Sequence, residues 1–297
     1  MHDLQGKVAF ITGGGSGVAL GQAKVFAEEA QMKVVIADVR LDHLGAAMDY
    51  FRTKNVAVHP IQLDITDREA YVRAADETEQ VFGPVQLLCN TAGVSQFGPV
   101  EKATYDDWDW QIDVNVKGMI NGVQTFLPRM IAHGGGGHIV NTASMSAFVA
   151  LPTTAIYCTT RYAVRGYSES LRIELDKYGI GVSCLCPAAV RTNIHEAVIT
   201  RSEKYGDTGY YGRDPEVFAR LKAAMEDGVD PVYLGRIVLE AVRRNDFWIL
   251  TYPEFIPTVE KKNKEVIDAM RQYLGDPDYA RRRKLRDEQN KAMPGTD

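Results

Sequence analysis

The chain has 297 residues, 45% of them hydrophobic and 25% charged, with a formal charge of −5. That composition excludes a disordered or collagen-like chain, and the charge gives no general reason to bind nucleic acid or an acidic membrane surface. The length allows two domains, yet α/β folds of about 250 residues are often single. Residues 7–12 (KVAFIT) read as a first strand, followed by a glycine turn and a helix to about Ala30. Residues 33–37 (KVVIA), 56–63, 85–90 (VQLLCN), 137–143 (GHIVNTA) and 181–186 (GVSCLC) read as further strands, with helix-like segments between them. Strands this apolar suit a sheet covered on both faces. Their alternation with helices predicts an α/β fold, a doubly wound, Rossmann-like parallel sheet. Residues 247–252 (FWILTY) read as a late strand.

Between the last two strands lies an insertion at 193–230. Asp214-Pro215-Glu216 and Asp230-Pro231 both carry the N-cap and first-turn proline of a helix start. After Pro257 the chain turns polar and helical. The expected organisation is one dinucleotide-binding domain over 1–256, including a helical substrate lid at 193–230, and a helical C-terminal extension over 257–297. Cys89, Cys158, Cys184 and Cys186 are too few for a disulfide framework in so long a chain, and Cys184 and Cys186 would share one strand face. No Cys/His set has zinc-finger spacing, so no metal is expected. The N-terminal residues lack a signal-peptide core. No apolar run approaches the roughly 20 residues of a membrane span. A cytoplasmic protein is the expectation.

The first strand runs into Thr12-Gly13-Gly14-Gly15-Ser16-Gly17-Val18-Ala19. A glycine turn between strand and helix lets backbone N–H groups approach a pyrophosphate at the helix N-terminus. Asp38 falls about 20 residues further on, where a carboxylate holds the ribose 2′-hydroxyl. A carboxylate there repels a 2′-phosphate, which favours NAD over NADP; Arg40 close by works the other way. A serine hydrolase does not fit. His133-Gly134-Gly135-Gly136 resembles an oxyanion stretch, but Ser16 is followed by Gly17 and Val18, which is no nucleophile elbow. The glycines at 134–137 read as a turn before a strand. Arg281-Arg282-Arg283-Lys284 is followed by Asp287 and Glu288 and reads as a solvated helix face, not a nucleic-acid site.

Ser144 lies at the end of the fifth strand, and Tyr157 and Arg161 follow at i and i+4, on one helix face. A tyrosine is only about 0.1–1% ionised at neutral pH, and a cation one turn away favours the phenolate. Hydride transfer needs such a group to take or supply the alcohol proton. Ser144 would polarise the substrate oxygen.

With these residues in place the chain resembles the short-chain dehydrogenase/reductase family over roughly residues 6–252. The resemblance covers the glycine motif at 12–19, Asp64 in Leu63-Asp64-Ile65 as the adenine-side acid, and Asn90-Thr91-Ala92-Gly93 as the N-N-A-G motif. It also covers Asn115 as the helix asparagine, Ser144, Tyr157, and Pro187-Ala188 with Thr192 on the nicotinamide side. It implies Ser144, Tyr157, Arg161 and Asn115 as catalytic. It implies cofactor contacts from Gly13, Gly15, Ser16, Gly17, Val18, Asp38, Val39, Asp64, Ile65, Asn90, Ala92, Gly93, Tyr157, Arg161, Pro187, Val190 and Thr192. Ala19, Thr91 and Ala188 are mild departures. Arg161 is the serious one, because the family has lysine there. Arginine can hold ribose hydroxyls and support the tyrosine, but it cannot release a proton. A non-catalytic NAD-binding protein is the alternative that this residue raises.

The stretch 91–134 resembles, more narrowly, the bacterial NAD-dependent Cα-dehydrogenases of lignin β-aryl ethers, as do segments around 193–196, 204–210 and 252–254. The resemblance implies oxidation of the benzylic Cα hydroxyl of β-O-4 aryl ether compounds to a ketone; another bulky aryl or cyclic alcohol or ketone is the alternative. Tyr205, Tyr210, Tyr211 and Phe218 of the insertion suit flat aromatic rings or else simply pack a lid. Phe97, Phe148 and His195 are further wall candidates. The expected partner is a small aromatic molecule. The family resemblance also implies a homo-oligomer, dimer or tetramer, through helices around 104–131 and 153–178.

Overall fold

A computed structural model describes Met1, residues 3–210 and residues 214–292 of the chain. Its elements alternate as expected: β1 (Val8–Thr12), α1 (Gly17–Glu28), β2 (Lys33–Asp38), α2 (Leu41–Arg52), β3 (Val58–Gln62), α3 (Arg68–Phe82) and β4 (Val85–Asn90). Then come α4 (Tyr105–Ile112), α5 (Gly118–His133), β5 (Gly137–Thr142), α6 (Ala155–Glu174), β6 (Ile180–Leu185), α7 (Pro215–Glu226), α8 (Pro231–Arg244) and β7 (Trp248–Ile249). The strands form one parallel sheet in the order β3-β2-β1-β4-β5-β6-β7. The order reverses between β1 and β4, and that crevice at the carboxyl ends of the strands is where a doubly wound sheet binds ligands.

Each strand in the middle of the sheet is buried on both faces, which is why β1 reads as an unbroken VAFIT without alternation. The edges behave differently. β3 tolerates Pro60 because it lies at the edge, where a missing N–H costs no ladder bond. Its extent is Val58–Gln62, shorter than the expected 56–63. β7 is the other edge and is only Trp248–Ile249, not the expected 247–252.

The helix starts follow their caps. Asp214 and Asp230 each accept backbone N–H groups of the first turn, with proline at the first position. Asp67 caps α3, and Thr104 with Asp107 forms a reciprocal capping box on α4. The expected helix over 104–131 is α4 and α5 joined by a π turn, Asp113–Lys117. α6 stops at Glu174, short of the expected 178. Gly134 closes α5 in the left-handed region at φ 71°, so Gly134–Gly136 form a turn and Gly137 begins β5.

The chain divides into two compact units, Met1–Thr251 and Tyr252–Asp297. The first holds the sheet and its flanking helices. The second holds α9 (Ile256–Arg271) and α10 (Tyr279–Ala292). No helix among the described residues is long and apolar enough to cross a membrane. All four cysteines are buried and free.

Candidate active site

The glycine turn lies between β1 and α1 at the crevice. Gly13 has φ 72°, and a Cβ there would lie 3.0 Å from Ala92 Cα. Gly17 has φ 53°, and its Cβ would meet the Thr192 methyl at 3.0 Å. Gly15 donates its N–H to Asp38 Oδ2 at 3.1 Å. Ser16 caps α1 through its extended backbone, and its side chain makes no capping hydrogen bond. Val18 is half-buried and Val39 is 43% exposed beyond β2.

The end of β4 closes the other side. Thr12 Oγ1 accepts the N–H groups of Thr91 (3.0 Å) and Ala92 (3.1 Å). Thr91 donates its own hydroxyl to Gln22 Oε1 at 2.8 Å, a use for threonine where the family motif has asparagine. Asn90 and Asn141 link β4 to β5 at 2.9 Å. Asp64 accepts both the N–H and the hydroxyl of Thr66 at 2.8 Å. The carbonyl of the adjoining Ile65 takes Asn121 Nδ2 at 2.9 Å. Val190 is buried and bridges Val229.

At the carboxyl end of the sheet, β5 stops at Thr142, so Ser144 does not end the strand as expected. It caps a single 3₁₀ turn, Met145–Ala147, where its Oγ accepts the Ser146 N–H (3.1 Å) and donates to Pro187 O (3.2 Å). Tyr157 and Arg161 both face the site from α6 and are buried. The Arg161 guanidinium lies 4.7 Å from the Tyr157 ring centroid. Its Nη1 donates to Thr142 O at 3.1 Å and its Nη2 to Asn115 Oδ1 at 3.3 Å. Nη2 also fills the space in front of Gly93, where a Cβ would come within 2.6 Å. Asn115 sits in the π turn, a device that re-aims side chains at sites. It accepts the Val94 N–H at 2.8 Å and donates to Val94 O and Thr160 Oγ1.

Phe97 meets Tyr157 edge-on, with centroids 5.4 Å apart. The Tyr210 ring covers Gly98, where a Cβ would lie 2.1 Å from Cδ1. The other wall candidates separate. Phe148 meets Trp248 edge-on and lies under Arg165, on the β7 side. Tyr205 is buried with Val94, Trp110 and Ala197, and its hydroxyl donates to Asp113 at 2.8 Å. Burial and that carboxylate push its ionisation upward. Tyr205 is therefore a packing residue of the 193–230 insertion. His195 is half-buried in the turn Ile194–Thr200. Tyr211 and the Phe218 side chain lie outside the described residues.

What anchors the 201–209 segment leaves no signal in the sequence. Asp107 accepts Arg201 Nη1 at 2.7 Å, with side-chain exposures of 0% and 6%. It also accepts the Gly209 N–H at 3.0 Å, while Arg201 donates to the carbonyls of Tyr205 and Gly206. Burial opposes the Asp107 charge, but the Thr104 N–H, the Thr208 hydroxyl, the Gly209 N–H and Arg201 together outweigh it and hold the carboxyl below its usual range. The partners are 94 residues apart, and neither carries a motif.

The cradle fits a nicotinamide dinucleotide. Glycines stand where side chains would block the crevice, Asp38 stands beside them, and Arg161 Nε is buried without a partner among the described residues. A short chain dehydrogenase model matches residues 7–203. A C alpha-dehydrogenase of Sphingobium sp. (strain NBRC 103272 / SYK-6) is 45% identical over 284 residues, 95% of this chain and 92% of that protein. The LigO apo form from Sphingobium sp. strain SYK-6 superposes with a TM-score of 0.83 at 64% identity, covering 99% of this chain and 100% of that one. A short chain dehydrogenase/reductase from Burkholderia phymatum in complex with NAD gives a TM-score of 0.84 at 32% identity, covering 90% and 96%.

Proposed function

The chain belongs to the short-chain dehydrogenase family, and from that premise we propose that it oxidises a benzylic secondary alcohol to a ketone with NAD, its substrate being the Cα hydroxyl of lignin-derived β-O-4 aryl ethers. The observation that carries this reading is the Arg161 guanidinium set against the Tyr157 ring, with Phe97 edge-on to the same phenol and Arg161 Nη1 on the Thr142 carbonyl, two residues before Ser144. Similarity to a relative named C alpha-dehydrogenase supports the substrate class.

When bound, the nicotinamide supplies the hydride acceptor. Gly13, Gly15, Ser16, Gly17 and Val18 would hold the pyrophosphate. Asp38 and Val39 would hold the adenosine ribose, and Asp64 and Ile65 the adenine. Asn90, Ala92, Gly93, Tyr157, Arg161, Pro187, Val190 and Thr192 would line the nicotinamide end. Tyr157 Oη takes the proton of the substrate hydroxyl. Ser144 Oγ–H swings from Pro187 O to the substrate oxygen and orients it. The Arg161 guanidinium places positive charge beside the phenol ring. Asn115 braces that guanidinium and the Val94 backbone, which keeps the pocket floor in register for a water relay. Phe97 and Tyr210 offer flat faces to the aryl rings.

NAD is favoured over NADP because Asp38, the last residue of β2, would meet a 2′-phosphate with a carboxylate. The reading includes a homo-oligomer packed through α4–α5 and α6, which leave Tyr105, Tyr162 and Ile173 exposed. It also includes a cytoplasmic setting, consistent with four free cysteines.

The test is NADH formation from β-O-4 aryl ether dimers of both configurations at Cα. Tyr157→Phe lowers the rate by about 10²–10⁴-fold and leaves NADH binding measurable. Turnover that survives this change overturns the assignment, and activity confined to other aryl alcohols overturns the substrate.

A further inference from the structure

The lid meets the cofactor end in a polar latch outside the reaction centre. Arg40 follows Asp38 closely, and its backbone N–H donates to Asp38 Oδ1 at 3.0 Å. Its guanidinium points elsewhere. Nε and Nη2 donate to Asp42, and Nη1 donates to Glu196 Oε2 at 2.7 Å. Glu196 lies 156 residues away, in the lid turn Ile194–Thr200. The same turn is braced by Asn193, whose Nδ2 lies 3.2 Å from His43 Nε2 and 3.5 Å from Glu196 Oε2. The Arg40 and Glu196 side chains are 21% and 33% exposed, so solvent screens their pairing only in part.

An arginine just past the acid of the second strand is the group that accommodates a 2′-phosphate in this kind of fold. Here two carboxylates occupy it, and one comes from the lid. We propose that Glu196 is a cofactor-specificity residue: by holding Arg40 it denies a 2′-phosphate its cationic partner. Asp38 repels the phosphate and Glu196 removes what would compensate. The inference rests on the dehydrogenase reading above, because it presumes a dinucleotide in the crevice.

The experiment is a fluorescence titration of the intact protein with NADH and NADPH, which reads binding without turnover. Glu196→Gln keeps the side-chain size and removes the charge. NADPH affinity should then rise roughly tenfold, the worth of one charge-assisted hydrogen bond, while NADH affinity changes far less. Adding Arg40→Ala to that variant should cancel the gain. Arg40→Ala alone, its folding checked by a thermal melt, should leave the weak NADPH affinity where it was. An unchanged NADPH affinity in Glu196→Gln, a gain that persists without Arg40, or a loss in Arg40→Ala alone each overturns the proposal. NADH binding by the unaltered protein together with any of these defeats only the role of Glu196. Failure to bind either dinucleotide defeats the dehydrogenase reading with it.

Discussion

At Arg161 one planar guanidinium has three neighbours: the Thr142 carbonyl, the Asn115 amide oxygen and the face of Tyr157. Lysine has no fork and cannot reproduce that geometry. It does keep the positive charge beside the phenol. Arg161→Lys is therefore expected to preserve or raise the NADH-forming rate. A large loss would mean that the site has adapted to arginine. Arg161→Ala removes a donor from the half-buried Thr142 carbonyl and leaves Asn115 Oδ1 with the Val94 N–H alone; losing these bonds costs about 1–3 kcal/mol and is read as a lower thermal midpoint. The i, i+4 pairing of Tyr157 and Arg161 was legible because helix periodicity is local. The contacts to Thr142 and Asn115 were not, because each lies on another element.

At the scale of elements, α1 and α8 pack with their backbones in near contact. Gly21 faces the first turn of α8, where a Cβ would lie 2.2 Å from Pro231 O, and Gly235 faces the Gly21 carbonyl in return. Alanine is the better helix former, so propensity alone predicts that Gly21→Ala stabilises. The clash with a backbone carbonyl, which cannot rotate away, reverses the sign. Gly21→Ala is expected to destabilise by about 1–3 kcal/mol. Gly45→Ala in α2 has nothing within 4 Å of its new Cβ and is expected to stabilise by up to about 1 kcal/mol. Thermal denaturation of the two variants, run side by side, checks the opposite signs. The 193–230 insertion shows the same limit of local reading. Asp214 and Asp230 announce their helices within a few residues, whereas the Asp107–Arg201 pair that seats the 201–209 segment has no local trace.

For the molecule as a whole, the sheet interior sets a pH dependence. His138 on β5 is buried, and its Nε2 lies 2.7 Å from Ser183 Oγ, which itself donates to Asp246 O. Burial pushes its pKa down to about 3, with nearby positive charge adding to the effect. An unfolded histidine has a pKa near 6.5. The native state thus keeps the ring neutral where the unfolded chain takes up a proton. The stability from this group is fully present above about pH 6.5 and is lost as pH falls toward 3, by up to about 1.4 kcal/mol per pH unit. Denaturation midpoints between pH 7.5 and 4.5 should fall, and His138→Asn should flatten the slope. An unchanged slope would show that other groups carry it.

By itself the sequence determined the α/β class, the glycine turn with Asp38, the helix starts and the spacing of Tyr157 and Arg161. Those features depend on neighbours within a turn or on burial of a whole strand, and both leave a pattern in the chain. Only the tertiary structure decided that Tyr205 packs inside the 193–230 insertion, that Phe148 turns to Trp248 and that Ser144 sits on a turn beyond β5. Only it joined Arg40 to Glu196 and Asp107 to Arg201. Such pairings depend on which segments of a folded chain come within hydrogen-bond reach. A charge or an aromatic ring looks the same in sequence whether its partner is solvent, substrate or another part of the protein.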